Sequence, residues 1–184
     1  MPGILAIDPA RVLGWAYCLP GGPVDFGHET LARRGAEPGL IGARLDTFLR
    51  SRIRKLEPSL IVYEQPFLSS KFIDMHTAFE LLGISFYIDT IAELHGIKYN
   101  SVNAIEATKS LTGRGKFPGK NYDERRAAKK AAAIEACRAR GWNATADEAD
   151  AIAVLLLAEA KLFPVEAMRR PAVLKQPTGP LFAQ

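Results

Sequence analysis

The chain has 184 residues, a hydrophobic content of 48% and a net charge of +4, values that suit one globular domain with a sizeable core. No apolar run approaches the roughly 18 residues of a membrane span, and no basic region precedes the short apolar segment at the N-terminus. We therefore expect a cytoplasmic protein without membrane contact. The cysteines and histidines lack ligand spacing, which argues against a zinc site or a disulfide framework.

The N-terminal third of the chain predicts a β-meander followed by a helix. The segments GILAID, LGWAYCL and PVDFGHETL have the pattern of three strands, with a Pro-Gly-Gly-Pro turn before the third. From Gly39 to Leu56 apolar residues recur at helical spacing with arginines opposite, and Pro58 separates this helix from the apolar strand LIVYE. Strand, helix and strand in this order predict a crossover between parallel neighbours.

A long helix is predicted over residues 72–95, and it carries two apolar stripes on roughly opposite sides. The first stripe consists of Phe72, Met75, Phe79, Leu82 and Phe86, and the second of Leu81, Ile84, Ile88 and Ile91. One stripe can pack on the sheet, whereas the other needs a separate cover. We predict a second copy of the chain as this cover, because most soluble oligomers are symmetric homo-oligomers. Burial within the monomer is the alternative.

The C-terminal half predicts one more strand and three helices. IKYNSV is the strand, residues 104–111 form a short helix, and the basic loop GRGKFPGKNYDE leads into an alanine-rich helix over 123–140. Thr145 and Glu148 form a capping box that opens an apolar helix ending before Pro164. The sequence therefore predicts an α/β domain over residues 1–163 and a proline-containing tail of little intrinsic structure over 164–184.

Positive charge is concentrated in one segment. Between Lys109 and Arg140 there are ten lysines or arginines and three acids, so the remainder of the chain is net negative. Such a block favours a polyanionic partner, nucleic acid first, because each neutralised phosphate releases condensed counterions. A solvated helix face is the alternative.

Four carboxylates stand at the ends of predicted elements. Asp8 ends the first strand and Glu64 the fourth, while Asp147 and Asp150 lie three residues apart on one face of the last helix. Each alone has a structural explanation: a turn former, an ion pair with an arginine, or a favourable charge at a helix start. If the two strands are neighbours, all four can meet at one rim. Their mutual repulsion would then favour a hard divalent cation, Mg²⁺ above all.

The segments ILAIDPARVLGWA, IVYEQPF and TADEADAIAVLLLA, in this order, resemble the three acidic motifs of the RuvC family of Holliday-junction resolvases, within the RNase H-like superfamily. The resemblance covers about residues 3–163. It implies an RNase H-like fold with a mixed sheet of about five strands, an antiparallel meander followed by parallel strands, and helices on both faces. It also implies a homodimeric, structure-selective endodeoxyribonuclease that resolves four-way junctions by paired symmetric nicks in DNA recombination and repair. Asp8, Glu64, Asp147 and Asp150 would bind two Mg²⁺ per subunit, with Mn²⁺ as a substitute ion.

The resemblance suggests roles for further residues. Phe67 matches an aromatic residue that stacks at the opened centre of the junction, the alternative being a core phenylalanine. Lys109, and Lys129 or Lys130, fall where the family places lysines that contact the scissile phosphate or stabilise charge. We expect the basic segment to bind phosphates without reading sequence. Its predicted DNA-binding residues are Lys109, Arg114, Lys116, Lys120, Arg125 and Arg126.

The sequence departs from the family pattern at two places, and two alternative functions stay open. The insertion GRGKFPGKNYDERR is reminiscent of phage-encoded members with broader substrates, and Ala10 replaces the glycine common after Asp-Pro. One alternative is a nuclease for flaps, other branched DNA or RNA–DNA hybrids. The other is a DNA-binding module without catalysis. In the tail, Leu181-Phe182 resembles short peptides that dock on replication sliding clamps, the alternative being a polar tail with an exposed dipeptide.

Overall fold

The computed structural model describes residues 3–33, 35–66 and 75–170, which form an α/β fold around one five-stranded sheet. The strands are β1 (Gly3–Asp8), β2 (Val12–Cys18), β3 (Asp25–Thr30), β4 (Pro58–Glu64) and β5 (Lys98–Val102). The helices of the described residues are α1 (Pro38–Leu56), α2 (Met75–Leu94), α3 (Ala104–Thr112), α4 (Tyr122–Ala139), α5 (Ala146–Leu162) and α6 (Pro164–Met168).

The strand order is β3-β2-β1-β4-β5, antiparallel through the first three strands of the chain and parallel from β1 to β4 and β5. The mixed sheet predicted from the sequence is therefore confirmed. The predicted pairing of the two strands joined by α1 is wrong, because β2 and β1 lie between β3 and β4. Asp8 lies opposite Gly14 of β2, and the preceding residue, Ile7, lies opposite Tyr63 of β4. The carboxyl ends of β1 and β4 consequently lie side by side.

Each face of the sheet supports its own hydrophobic core. On one face Ile4, Ala6 and Val62 pack with α5, with α3 and α4 completing this layer. On the other face Leu5 and Ile7 pack beneath α1 and α2. Because side chains alternate along a strand, neighbouring residues of β1 contribute to different cores. Both faces are covered, and the near-continuous apolar sequence of β1 reflects this burial.

The two predicted apolar stripes of helix α2 differ in burial. Ile84 and Ile88 of the second stripe are buried in the core. In the first stripe, by contrast, Met75, Phe79 and Phe86 are 74%, 66% and 69% exposed. Leu82 is partly buried, and Phe72 lies outside the described residues. The described part of the chain therefore leaves this stripe uncovered.

The beginning of the predicted tail is ordered. Pro164–Met168 form α6, and Arg170 donates to Glu159 of α5 at 2.6 Å (Nη2–Oε1) and 3.0 Å (Nε–Oε2). Glu159 is only 1% exposed and also accepts from the backbone of Gly21 at 2.7 Å. A buried carboxylate needs such donors, which is why this part of the tail packs on the domain. Leu181-Phe182 lies outside the described residues, and no helix within them is long and apolar enough to cross a membrane.

Candidate functional site

Two of the candidate acids stand at the tips of parallel strands. Asp8 is the last residue of β1 and Glu64 the last of β4, and both are partly buried. Ala6 and Val62, two residues earlier in each strand, belong to the core beneath α5. Since residues two apart lie on the same face of a sheet, both carboxylates are directed to the α5 side of the rim.

The other two acids are placed by the start of α5. The capping box predicted from the sequence is present: Thr145 Oγ1 accepts from the Glu148 backbone N–H at 3.4 Å, and Glu148 Oε2 accepts from the Thr145 N–H at 2.7 Å. A side chain at Gly14 would collide with the backbone carbonyl of Asp147. The glycine therefore allows the first turn of α5 to lie against β2, beside Asp8, and this turn carries Asp147 and then Asp150.

The four carboxylates form one electrostatic cluster. Burial raises the pKa of Asp8 well above its ordinary value, the charges of Glu64 and Asp150 raise it further, and Asp147 adds to the effect. Burial also raises the pKa of Glu64, against the opposing charge of Lys129. Ionised carboxylates at this rim are therefore costly unless cations accompany them.

Helix α4 directs two lysines at the acids. Lys129 Nζ lies 3.5 Å from Asp150 Oδ1, and Lys130 Nζ lies 3.6 Å from Asp147 Oδ1. Burial by itself would lower the pKa of Lys129, but the surrounding carboxylates, Asp150 first, outweigh it and raise the pKa. Lys129 thus lies within the electrostatic reach of the cluster as a full positive charge.

The donor set suits hard divalent cations. All four groups are carboxylates, and such cations prefer oxygen ligands. Burial first, and neighbouring carboxylates second, raise the pKa of Asp8 and of Glu64, and a bound cation would favour their ionised forms. Within residues 3–33, 35–66 and 75–170, no three acid, histidine or cysteine side chains are already arranged around one metal position. In this arrangement the two lysines supply the compensating charge.

The remaining predicted cations form no ion pair with the four acids within the described residues. The exposed residues of this set are Lys109, Arg114, Lys116, Lys120, Arg125 and Arg126, on α3, α4 and the loop between them. Phe67 lies outside the described residues, so its stacking role stays a prediction.

Two contacts beside the acids were not predicted from the sequence. His28 Nδ1 of β3 lies 2.8 Å from Glu148 Oε1, next to Asp147 in the chain. Arg11, in the turn after Asp8, donates to Glu80 of α2 at 2.6 Å and 2.5 Å. Neither pair has a local sequence signal, because each joins residues more than 60 positions apart whose meeting depends on strand register or helix placement.

Comparison with protein-family profiles and with characterised sequences gives no match. Solved structures do match. Thermus thermophilus RuvC in complex with a Holliday junction substrate superposes with a TM-score of 0.62 at 11% identity, over 86% of this chain and 94% of that one. A second Thermus thermophilus RuvC structure gives a TM-score of 0.60 at 15% identity, over 86% and 95%. The yeast mitochondrial Holliday junction resolvase Ydc2 gives 0.54 at 11% identity, over 90% and 83%.

These comparisons define the class of fold. The chain has the RuvC-like form of the RNase H-like fold, as its acidic motifs predict, and the match extends over most of its length. The four acids stand on the elements that the motifs assign to them, at one rim of that fold.

Proposed function

We propose that this protein is a metal-dependent endonuclease that resolves four-way DNA junctions by paired nicks and acts in the cytoplasm. The observation that carries the proposal is the meeting of Asp8, Glu64, Asp147 and Asp150 at one rim, with Lys129 among them. The RuvC-like fold supports the same conclusion, because structures of this fold include a resolvase and a complex with a Holliday junction.

Asp8, Glu64, Asp147 and Asp150 would hold the metal, two Mg²⁺ ions per subunit with Mn²⁺ as an alternative. Bound divalent ions supply a water of lowered pKa as nucleophile and stabilise charge on the leaving oxygen. Lys129 would donate to a nonbridging oxygen of the scissile phosphate, and Lys130 to a neighbouring one. The exposed cations of α4 and of the loop before it would hold the flanking phosphates without reading sequence.

The exposed stripe of α2 supports a homodimer. Met75, Phe79 and Phe86 are large apolar side chains that expose two thirds or more of their surface on one helix. An exposed apolar stripe of this kind marks an interaction site, and a two-fold axis through α2 would place the same stripe of a second copy against it. Two such subunits would present two sites related by symmetry, which suits two nicks in strands of like polarity.

Cleavage of a synthetic four-way junction, compared with a linear duplex, a flap and an RNA–DNA hybrid, tests the proposal. With Mg²⁺ we expect preferential, paired cleavage of the junction and none with EDTA. Equal rates on all four substrates would instead assign a broader nuclease. If Asp8→Asn and the parent protein were indistinguishable in every assay, the acids would do no chemistry and a DNA-binding module would remain.

A further inference from the structure

A second cationic surface lies on the opposite face of the sheet from α4. It is an open groove of about 510 Å³ between edge strand β3 and the flank of α1 beside it, here called the α1–β3 groove. Its polar lining consists of Glu29, Arg44, Thr47, Ser51, Arg52 and Lys55. Three cations and two hydroxyls thus face one acid, a composition suited to a phosphate-bearing ligand.

Within the described residues, no carboxylate forms an ion pair with the cations of the groove, Arg44, Arg52 and Lys55. In the same part of the chain, α1 forms one ion pair of its own, Arg50 Nε to Asp46 Oδ1 at 2.7 Å. Arg44 makes one long hydrogen bond, Nη1 to the carbonyl of Thr30 at 3.4 Å. Most donors of these side chains are therefore available to a ligand.

Arg52 is held in a fixed orientation. Its guanidinium carbon lies 3.9 Å from the ring centroid of Trp15 and 5.5 Å from that of Phe48. Trp15 is 4% exposed, and its ring lies so close to Gly27 of β3 that a side chain there would meet it. Stacking holds the guanidinium plane while its N–H edges remain able to donate, so less conformational entropy is lost on binding.

The groove begins at the rim that carries the acids. Glu29 pairs with Leu13 of β2, next to the row in which Gly14 pairs with Asp8. From Arg44 near this rim, α1 runs about 16 Å to Lys55, at about 1.5 Å per residue. Cations spread over this length match successive phosphates of a strand better than the single phosphate cluster of a mononucleotide.

We propose that the α1–β3 groove binds the phosphate backbone of a duplex segment flanking the cleaved strand. The inference deepens the proposed function, on which it rests for its substrate. The basic surface of α4 and this groove would then hold DNA from the two faces of the sheet, with the acids at the rim between them. A branched substrate offers separate duplex arms to two such surfaces.

Binding of a linear duplex and of a four-way junction at several salt concentrations tests this inference, with every variant made in an Asp8→Asn background. Arg44→Gln combined with Lys55→Gln should weaken junction binding at least about ten-fold and reduce the slope of log K against log salt by about 2, since each phosphate contact contributes about 0.9. Lys98→Gln, which removes one exposed cation on β5, is the control for loss of a charge outside the groove.

Two single variants test the geometry in opposite directions. Arg52→Lys keeps the charge but loses the stacked bidentate plane, so affinity should fall several-fold at an unchanged salt slope. Glu29→Gln removes the one acid of the lining and should raise affinity. All of these side chains except Arg52 are exposed, and circular dichroism will establish that the variants are folded.

The proposal is overturned if the double variant has the affinity and salt slope of Lys98→Gln. It is also overturned if the double variant binds duplex like the parent but loses binding of ADP measured by calorimetry, which would assign the groove to a small phosphate ligand. Cleavage by protein with intact Asp8 is scored separately. If the parent cleaves the junction and the groove variants bind DNA as well as the parent does, only this inference is refuted. If the groove variants bind DNA more weakly but the parent does not cleave the junction, only the proposed function is refuted.

Discussion

The two faces of the sheet are built from side chains of different size, and this difference decides where the acidic cluster and the stacked Arg52 lie. The core beneath α5 is rich in alanine, with Ala6 and Ala16 on the strands and Ala149 and Ala153 on the helix. The core beneath α1 and α2 contains larger residues such as Trp15. Small residues let a helix approach a sheet closely, which brings the carboxylates of α5 to those at the strand tips. Large residues on the other face provide the aromatic surface on which Arg52 stacks.

The two faces also differ in how charge is compensated. On the α5 face, Lys129 and Lys130 pair with Asp150 and Asp147. In the α1–β3 groove, Arg44 and Lys55 form no ion pair with a described acid. An excess of negative charge is expected in a cluster that binds cations, and an excess of positive charge in a groove that binds phosphates.

The largest expected effect comes from removing one charge of the acidic cluster. Asp8→Asn should lower the cleavage rate about 10³-fold, because loss of a metal ligand costs several kcal/mol of transition-state stabilisation. Without metal it should also raise the Tm near neutral pH, since a carboxyl whose folded pKa is raised destabilises the fold when ionised. Single-turnover cleavage and thermal unfolding in EDTA measure the two effects. Asp25→Asn, an exposed acid at the other end of β3, is the control and should show neither.

The second prediction distinguishes the two lysines of α4. Lys129 interacts electrostatically with three of the acids, whereas the ion pair of Lys130 is with Asp147. We expect Lys129→Ala to lower the single-turnover rate about 10²-fold, the usual effect of losing one donor to developing charge. Lys130→Ala should have a clearly smaller effect. Equal losses would contradict the assignment of Lys129 to the scissile phosphate.

Close approach of α5 to the sheet is tested by adding one methyl group. At Gly14 the new Cβ would collide with the Asp147 carbonyl, and overpacking of this kind should cost about 3 kcal/mol of unfolding free energy and displace the acids. Gly42→Ala is the control, because nothing lies within 4 Å of its Cβ position in α1. This helix-interior substitution should instead stabilise by about 0.5–1 kcal/mol. Urea unfolding and cleavage of the junction measure both variants, and a Gly14→Ala protein as stable and active as the parent would disprove the close packing.

The smallest effect on the isolated subunit is expected at α2. Phe79→Glu combined with Phe86→Glu should turn a dimer into a monomer and replace paired nicks with single nicks. The free energy of unfolding of the monomer should change by no more than about 0.5 kcal/mol per site, because both side chains are exposed. Analytical ultracentrifugation and a supercoiled cruciform substrate report the two changes. Ile105→Glu replaces an exposed apolar residue on α3 and should leave both unchanged. A parent protein that sediments as a monomer would refute the dimer.

Much of this architecture was predictable because its signals are local. The five strands were predicted to within about two residues at each end, and the start of α5 followed from the capping box of Thr145 and Glu148. The two apolar stripes of α2 followed from helical periodicity, but only the structure shows that the stripe with Ile84 and Ile88 is the buried one. The acids were recognisable because they stand at the ends of apolar strands or at the start of an apolar helix, where the neighbouring residues in the sequence provide no partner for a charge.

The sequence by itself determined that β1 to β5 and α1 to α5 form, in what order, and that four carboxylates stand at or near their ends, because these properties depend on residues a few positions apart. Only the tertiary structure decided that Gly14 admits the start of α5, that Lys129 reaches Asp150, and that the arginines of α1 line a groove beside β3. Helical periodicity places Arg44 and Arg52 beside or within the apolar stripe of α1, but it cannot say whether solvent or an edge strand faces them. That outcome depends on strand register and on side-chain size in the core, which only long-range packing determines.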